Sequence, residues 1–333
     1  MKAFRMEGPR VAAVVEVPDV AVQAGEALLR VKMVGMCGTD LNTFRGRNAM
    51  VTFPRVPGHE VAAEVVEAGG KLATGTMVTI SPYTSCGMCP SCRRGRVNAC
   101  QFNETMGVQR DGAMTEYISV PTEKLYAAKL SIRELCLVEP LTVGFHAAAR
   151  GRVTAEDTVA VFGCGGVGLG AIASAAFRGA ETIAIDMDDA KLEIARKAGA
   201  KHLINSKNED LHERLTAITG GRGPDVMIEA IGLPQTFRAA VEEVAFTGRV
   251  VYIGYAKEPV AYETRLFVQK ELDILGSRNA LPEDFREVIR MLEAGRFPVE
   301  DAVSAIVPME DAARMLSEWS DAPAKFTKIM VRI

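Results

Sequence analysis

The chain has 333 residues, enough for two domains at roughly 150 residues each, and its 48% hydrophobic and 24% charged residues suit a soluble globular protein rather than a disordered one. A net charge of -3, with Lys and Arg scattered among Asp and Glu, excludes the clustered basic footprint of a nucleic-acid or anionic-membrane binder and leaves a small-molecule partner. The N-terminus MKAFRMEGPR lacks the apolar core of a signal peptide, and no stretch approaches ~18 consecutive apolar residues. A cytoplasmic location is expected, where the Asn103-Glu104-Thr105 sequon carries no glycan.

The first ~145 residues read as short strands and turns. From Ala27 to Val34, for example, Leu29, Val31 and Met33 alternate with Arg30 and Lys32. Three residues in this part are candidate zinc ligands beside conformational breaks: Cys37 in Gly35-Met36-Cys37-Gly38-Thr39-Asp40, His59 in Gly58-His59-Glu60, and Glu139 in Val138-Glu139-Pro140-Leu141. Taken singly each is weak, since a lone Cys is more often core and a lone His more often a satisfied polar residue.

Seven cysteines is an odd number, and four of them, Cys86-x2-Cys89-x2-Cys92-x7-Cys100, crowd into a turn-rich lobe at about 82–101. In a reducing compartment that pattern points to metal before disulfide. The fourth spacing departs from the ferredoxin run, which favours tetrahedral zinc over an iron-sulfur cluster. Four thiolates leave no open position, so this zinc is expected to be structural.

From about Thr158 the pattern becomes short apolar runs alternating with helical periods. The runs are Val159 to Phe162, Thr182 to Ile185, Lys201 to Ile204, Val226 to Ile228, Arg249 to Ile253 and Leu272 to Leu275. This predicts an α/β, doubly wound domain with a parallel six-stranded sheet covered by helices on both faces. After Gly276 the chain reads as helix from Pro282 to about Ala294 and ends in an apolar strand, Ile329 to Ile333.

Gly163-Cys164-Gly165-Gly166-Val167-Gly168 fits the dinucleotide fingerprint, following a predicted strand and opening a predicted helix. Gly163 suits the tight turn, Gly165 the approach of a pyrophosphate, and Gly168 the packing of helix on strand, with the phosphates at the helix N-terminus. Asp186 ends the next strand, placed to accept hydrogen bonds from the adenosine ribose hydroxyls and to repel a 2'-phosphate, which favours NAD over NADP. Lys191 leaves tolerance for the phosphate, and Gly254, after the strand ending at Ile253, joins the predicted cofactor-binding set. Cys164 occupies a spacer position.

Together these features resemble the zinc-containing medium-chain dehydrogenases, specifically the sorbitol and polyol dehydrogenase branch, over essentially the whole chain. Cys37-Gly38-Thr39-Asp40, Gly58-His59-Glu60, the four-Cys lobe, Glu139-Pro140-Leu141, the glycine loop with Asp186, and Gly276-Ser277-Arg278-Asn279 carry the resemblance. Within the branch the chain looks like sugar-acid 5-dehydrogenases of the L-galactonate or L-gulonate type. The resemblance implies a β-rich GroES-like catalytic domain, residues 1–141 and 279–333, with a Rossmann NAD-binding domain at 142–278. It implies two zinc ions per chain: Cys37 and His59 ligate the catalytic one, and Glu60 and Glu139 share the carboxylate role, one directly and the other through water or by exchange. Thr39 matches the position that hands the substrate proton onward, while Asp40 braces the ligands.

The chain departs from the pattern at Asn42, where a histidine relay is common, and at Thr43, where polyol dehydrogenases often place an aromatic. Proton exit then uses water, the ribose or His146, although His146, amid Phe145 and alanines, reads first as packing. Arg278 matches an arginine that contacts polyol hydroxyls, with Asn279 beside it, and Arg45, Arg47 and Asn48 follow the first ligand loop. A guanidinium fork suits a substrate carboxylate. The expected activity is NAD-linked oxidation of a secondary alcohol on a polyol, sugar or sugar acid. Threonine or 2,3-butanediol dehydrogenase is the enzymatic alternative, and a non-catalytic sugar-acid sensor the alternative of another class. The resemblance also implies a homo-oligomer, dimer or tetramer.

Overall fold

A computed structural model describes residues 1–333. The chain forms two compact units, Met1–Glu139 with Val299–Ile333, and Pro140–Pro298. No helix is long and apolar enough to cross a membrane.

The first unit opens with a hairpin, β1 (Lys2–Gly8) and β2 (Val11–Glu16), and a long strand, β3 (Glu26–Met36), which runs into a short helix, α1 (Gly38–Phe44). There follow β4 (Glu60–Glu67), β5 (Met77–Ile80), the one-turn α2 (Pro90–Arg93), β6 (Tyr117–Pro121) and β7 (Leu125–Ala127). Strand β3 is the spine of a seven-stranded sheet. It pairs antiparallel with β4 and β6; alternation puts Leu29 and Val31, and past a register irregularity between Val31 and Met33 also Val34, into a core with Phe4, Phe44, Val61, Val65 and Ile80. Each such side chain contributes about 1.5–3 kcal/mol on burial.

Helix α3 (Ile132–Arg150) carries the chain from the first unit into the second, and the division falls inside it, between Glu139 and Pro140. The break expected at Glu139-Pro140 is absent. Pro140 sits in the helix interior, where it supplies no N–H, so Glu139 is a helical residue and not a terminal one.

The second unit alternates β8 (Thr158–Phe162), α4 (Gly166–Phe177), β9 (Glu181–Asp186), α5 (Asp189–Lys197), β10 (His202–Asn205), α6 (Leu211–Thr219), β11 (Val226–Glu229), α7 (Pro234–Glu243), β12 (Arg249–Tyr252), α8 (Arg265–Gln269), β13 (Asp273–Gly276) and α9 (Pro282–Glu293). Its six strands lie parallel in the order β10-β9-β8-β11-β12-β13, the doubly wound sheet read from the apolar runs. The order reverses between β8 and β11, which opens the crevice where such sheets bind ligands.

The second boundary lies at Pro298, later than the 278/279 junction expected. Helix α9 belongs to the nucleotide unit because its charged positions pair there: Asp284 Oδ2 meets His146 Nδ1 at 2.8 Å, and Glu287 accepts from Arg178 at 2.5 Å. His146 is buried and braces α3 against the cap of α9, whose Leu281 N–H Asp284 also accepts, consistent with packing rather than proton exit.

The chain then returns to the first unit with α10 (Val299–Ala302), β14 (Ala305–Pro308), α11 (Ala312–Asp321) and β15 (Ile329–Arg332). Strand β15 pairs antiparallel with β3, Ile329 opposite Met36, so the apolar tail extends the N-terminal sheet.

Candidate functional site

At the end of β3 the backbone turns into α1 at Cys37, whose N–H donates to Asp40 Oδ2 at 2.8 Å in a capping arrangement. The neighbouring strand β4 begins at Glu60, in register with Gly35, so His59 and Glu60 are delivered beside Cys37 by sheet pairing. The ligand atoms of Cys37, His59 and Glu60 lie within 4.8 Å of one another. Gly35 is required by this approach, since a Cβ there would fall 2.0 Å from Glu60 Oε2.

Two partners of the carboxylates were not signalled by any motif. Lys328 Nζ, 7% exposed, donates to both Glu60 oxygens at 2.6 Å and to the Met36 carbonyl at 3.3 Å. The pairing of β15 with β3 brings it there; in sequence it is one charged residue ahead of an apolar strand. Tyr83 OH donates to Glu139 Oε1, both groups being buried.

The electrostatics follow from this crowding. Burial works against a charged His59, but the Cys37 thiolate, Asp40 and Glu139 outweigh it and hold the imidazole well above its ordinary value. Burial first, then repulsion from Glu60, raises Glu139, and burial likewise raises Asp40. Tyr83 is pushed well up by burial and by the facing Glu139. Burial opposes the charge of Lys328, yet Glu60 and Cys37 raise it. His59 Nδ1 and Asp40 Oδ1 are buried with no hydrogen-bond partner. A thiol, an orphaned imidazole nitrogen and the Glu60 carboxylate converging on one point, three donors in all, fit a zinc ion that keeps an open position.

Thr39 Oγ1 lies 3.6 Å from Cys37 Sγ. Thr43 is buried, donating to the Thr39 carbonyl and accepting from Asn48 Nδ2. Arg45 is tied to Ser320 of α11 through its Nε at 3.1 Å and a second bond to the Ser320 carbonyl, so its role is to fix α1. Arg47 is exposed on the loop after α1, whereas Arg278, exposed, and Asn279, at φ 53°, belong to the second unit.

Cys86, Cys89, Cys92 and Cys100 also converge within 4.8 Å. Backbone N–H groups of Cys86 and Phe102 point at Cys100 Sγ, and that of Cys89 at Cys86 Sγ, each at 3.3 Å. Bonding from Ser91 Oγ and then backbone N–H groups draws Cys89 down to about 5, while burial and then the Cys89 thiol push Cys92 up to about 11. Crowded thiols suppress one another's ionisation, and a dication is the counter-charge that lets all four ionise. The lobe therefore fits zinc. All seven cysteines are free thiols.

In the second unit the glycine loop follows β8 and opens α4 at Gly166. Gly168 packs so tightly that a Cβ would sit 1.8 Å from the Gly163 carbonyl oxygen, whereas a Cβ on Gly165 would meet nothing within 4 Å. That open space above a helix N-terminus fits a pyrophosphate. Asp186 ends β9 and is already organised: Oδ2 accepts from Cys164 N at 2.7 Å, and Oδ1 from the N–H groups of Met187 and Asp188. Lys191 lies in the first turn of α5, capped by Asp188. Gly254 lies against Glu229 and Gly232 at the ends of the central strands. Glu229 went unnoticed in the sequence; it is buried and its Oε1 accepts from Ile231 N, Gly232 N and Thr236 Oγ1.

Comparison with known proteins agrees with this anatomy. Residues 23–130 match the alcohol dehydrogenase GroES-like domain and residues 166–294 the zinc-binding dehydrogenase domain. The chain is 34% identical to the L-galactonate-5-dehydrogenase of Escherichia coli over 83% of its length and 82% of that protein's, and 35% identical to the sorbitol dehydrogenase of Bacillus subtilis over 83% and 81%. The structure of the alcohol dehydrogenase RspB of Escherichia coli CFT073, complexed with NADH, superposes with a TM-score of 0.92 at 28% identity, covering 100% of this chain and 99% of that one. The chain belongs to the zinc-type medium-chain alcohol dehydrogenases and is an NAD(P)-dependent oxidoreductase of GroES-like plus Rossmann-type architecture.

Proposed function

We propose that this enzyme oxidises a secondary alcohol of a polyol, sugar or sugar acid, of the L-galactonate or L-gulonate type, to the ketone with NAD. The observation that carries the reading is the convergence of Cys37, His59 and Glu60, a harder donor set than one with a second thiolate in place of the carboxylate. Cys37, His59 and one carboxylate, Glu60 or Glu139, hold the catalytic zinc, and Cys86, Cys89, Cys92 and Cys100 a second, structural zinc. When bound, the catalytic ion supplies Lewis acidity that makes the alcohol proton removable near neutral pH. Thr39 would hand that proton onward through its hydroxyl, giving up its own proton as it accepts the substrate's. Asn42 has no basic atom to continue the relay, so the proton leaves through water or the ribose.

Gly163, Gly165, Gly166, Val167 and Gly168 cradle the pyrophosphate, Asp186 selects the unphosphorylated ribose, and Gly254 and Lys191 complete the cofactor site. Arg278, Asn279 and Arg47 are assigned to the substrate, with the guanidinium groups suited to hydroxyls and a carboxylate. We place the enzyme in the cytoplasm, where a chain with seven cysteines and no disulfide stays reduced. We also infer a homo-oligomer, because the edge strand β13 leaves Ile274 40% exposed, with Val268 82% exposed on α8.

The test is NAD reduction by the purified enzyme across a panel of aldonates, polyols, 2,3-butanediol and threonine. Turnover led by an aldonate or polyol supports the reading. Preference for threonine or butanediol would reassign the substrate, and zinc-loaded enzyme with no turnover on any of them would favour a sensing role.

A further inference from the structure

Thr43 stands where polyol dehydrogenases often place an aromatic, and the smaller residue has a use. It is 2% exposed, and its hydroxyl donates to the Thr39 carbonyl at 2.9 Å and accepts from Asn48 Nδ2 at 3.0 Å. Asn48 Oδ1 accepts from the Met50 N–H at 3.1 Å, and since that N–H only donates, the orientation of the amide is fixed. Gln109 reaches the same loop, its Nε2 meeting Met50 Sδ at 3.7 Å while its Oε1 accepts from the Thr105 N–H at 2.9 Å. Arg45 is held on Ser320 of α11. The loop after α1 is thus tied at three points of the first unit.

Between those ties stands Arg47. Gly46, at φ 67°, ends α1 in a Schellman turn: the Gly46 N–H donates to the Thr43 carbonyl at 2.9 Å and the Arg47 N–H to the Asn42 carbonyl at 2.8 Å. The backbone of Arg47 is therefore fixed, while its guanidinium is exposed and meets no acceptor. Helix α1 has seven residues, about 10 Å at 1.5 Å per residue, so an arginine just past its end suits the far end of a chain whose alcohol is held beside Cys37.

We propose that Thr43 and Asn48 are positioning residues that brace this loop so that Arg47 meets the substrate carboxylate, which makes the enzyme select a sugar acid over the corresponding neutral polyol. The proposal rests on the reading of the substrate as a polyol or sugar acid and of Arg47 as one of its contacts. A guanidinium on a braced loop loses less freedom when it closes on a carboxylate than one on a free loop.

The test compares kcat/KM with NAD for L-gulonate and for sorbitol, which differ only in a carboxylate against a hydroxymethyl group at one end. Wild type should prefer the acid, and its KM for L-gulonate should rise with added NaCl while that for sorbitol stays level. Arg47→Met should lower the acid-to-polyol ratio about 10-fold or more and abolish the salt dependence. Asn48→Ala and Thr43→Val should lower the ratio about 3-fold or more, through the KM for the acid and not through kcat. Thr43→Ser, which keeps the hydroxyl, should hold the wild-type ratio. Should Thr43→Val fail to fold, Asn48→Ala alone decides. A wild-type ratio of one or below would overturn the proposal, as would an Asn48→Ala enzyme that loses acid and polyol turnover equally. A ratio that falls in Arg47→Met and stays at the wild-type value in Asn48→Ala would overturn the bracing alone. No turnover of either compound by zinc-loaded wild type would overturn the substrate reading and the proposal with it.

Discussion

Gly35 and Glu60 face each other across the β3–β4 pair so closely that a methyl group on Gly35 would lie 2.0 Å from Glu60 Oε2. Gly35→Ala therefore forces the carboxylate away from Lys328 or bends the strand. The expected cost is about 1–3 kcal/mol of stability, the range for overpacking a filled site, measured by urea denaturation. Loss of turnover should accompany it.

The glycine loop separates a packing role from a binding role. Gly165→Ala meets nothing within 4 Å and keeps a conformation, φ -76°, that alanine adopts, so thermal stability without cofactor should stay at the wild-type value. NAD affinity should nonetheless fall by about 10-fold or more, because the methyl group occupies space meant for the pyrophosphate. Gly168→Ala, driven against the Gly163 carbonyl, should lower both. Isothermal calorimetry with NAD, alongside thermal melts, distinguishes the two variants.

Asp186 both organises the loop and addresses the ribose. Asp186→Ala should destabilise the protein by about 1–3 kcal/mol, since three backbone N–H groups lose their acceptor. The diagnostic readout is the ratio of kcat/KM for NAD to that for NADP, which should drop in the variant. An unchanged ratio would leave Asp186 a structural anchor only.

Metal binding by the four-cysteine lobe should release protons unequally. Near neutral pH Cys89, at about 5, is already a thiolate, whereas Cys92, at about 11, must lose its proton to bind. Zinc uptake should thus release fewer than four protons per ion, and affinity should weaken as pH falls because ligand thiols reprotonate. Calorimetry in buffers of different ionisation enthalpy counts the protons, and chelator extraction should be faster at pH about 5.5 than at about 7.5. Cys92→Ser should remove the counted Cys92 proton along with the ion.

Much of this was legible in the sequence because it is written in local spacing. The apolar runs gave the six parallel strands within a residue or two, and the four-cysteine lobe and glycine loop are contiguous motifs whose members meet in the fold. What escaped depends on register between distant strands. Lys328 reaches Glu60 only because Ile329 pairs with Met36, and nothing in the spacing of residues 60 and 328 encodes that. Tyr83 finds Glu139 because Pro140 is accommodated inside a helix, against the usual reading of Glu-Pro as an end. Helix α9 was assigned to the wrong unit because its partners, His146 and Arg178, precede it by more than a hundred residues.

The measurement that bears most directly on the central claim is zinc content per chain, taken together with NAD reduction, in wild type and Cys37→Ser. Two zinc ions in wild type, with one ion and nearly all activity lost in the variant while the four-cysteine lobe keeps its metal, is the predicted result. A Cys37→Ser enzyme that retains both ions and full activity would contradict the account.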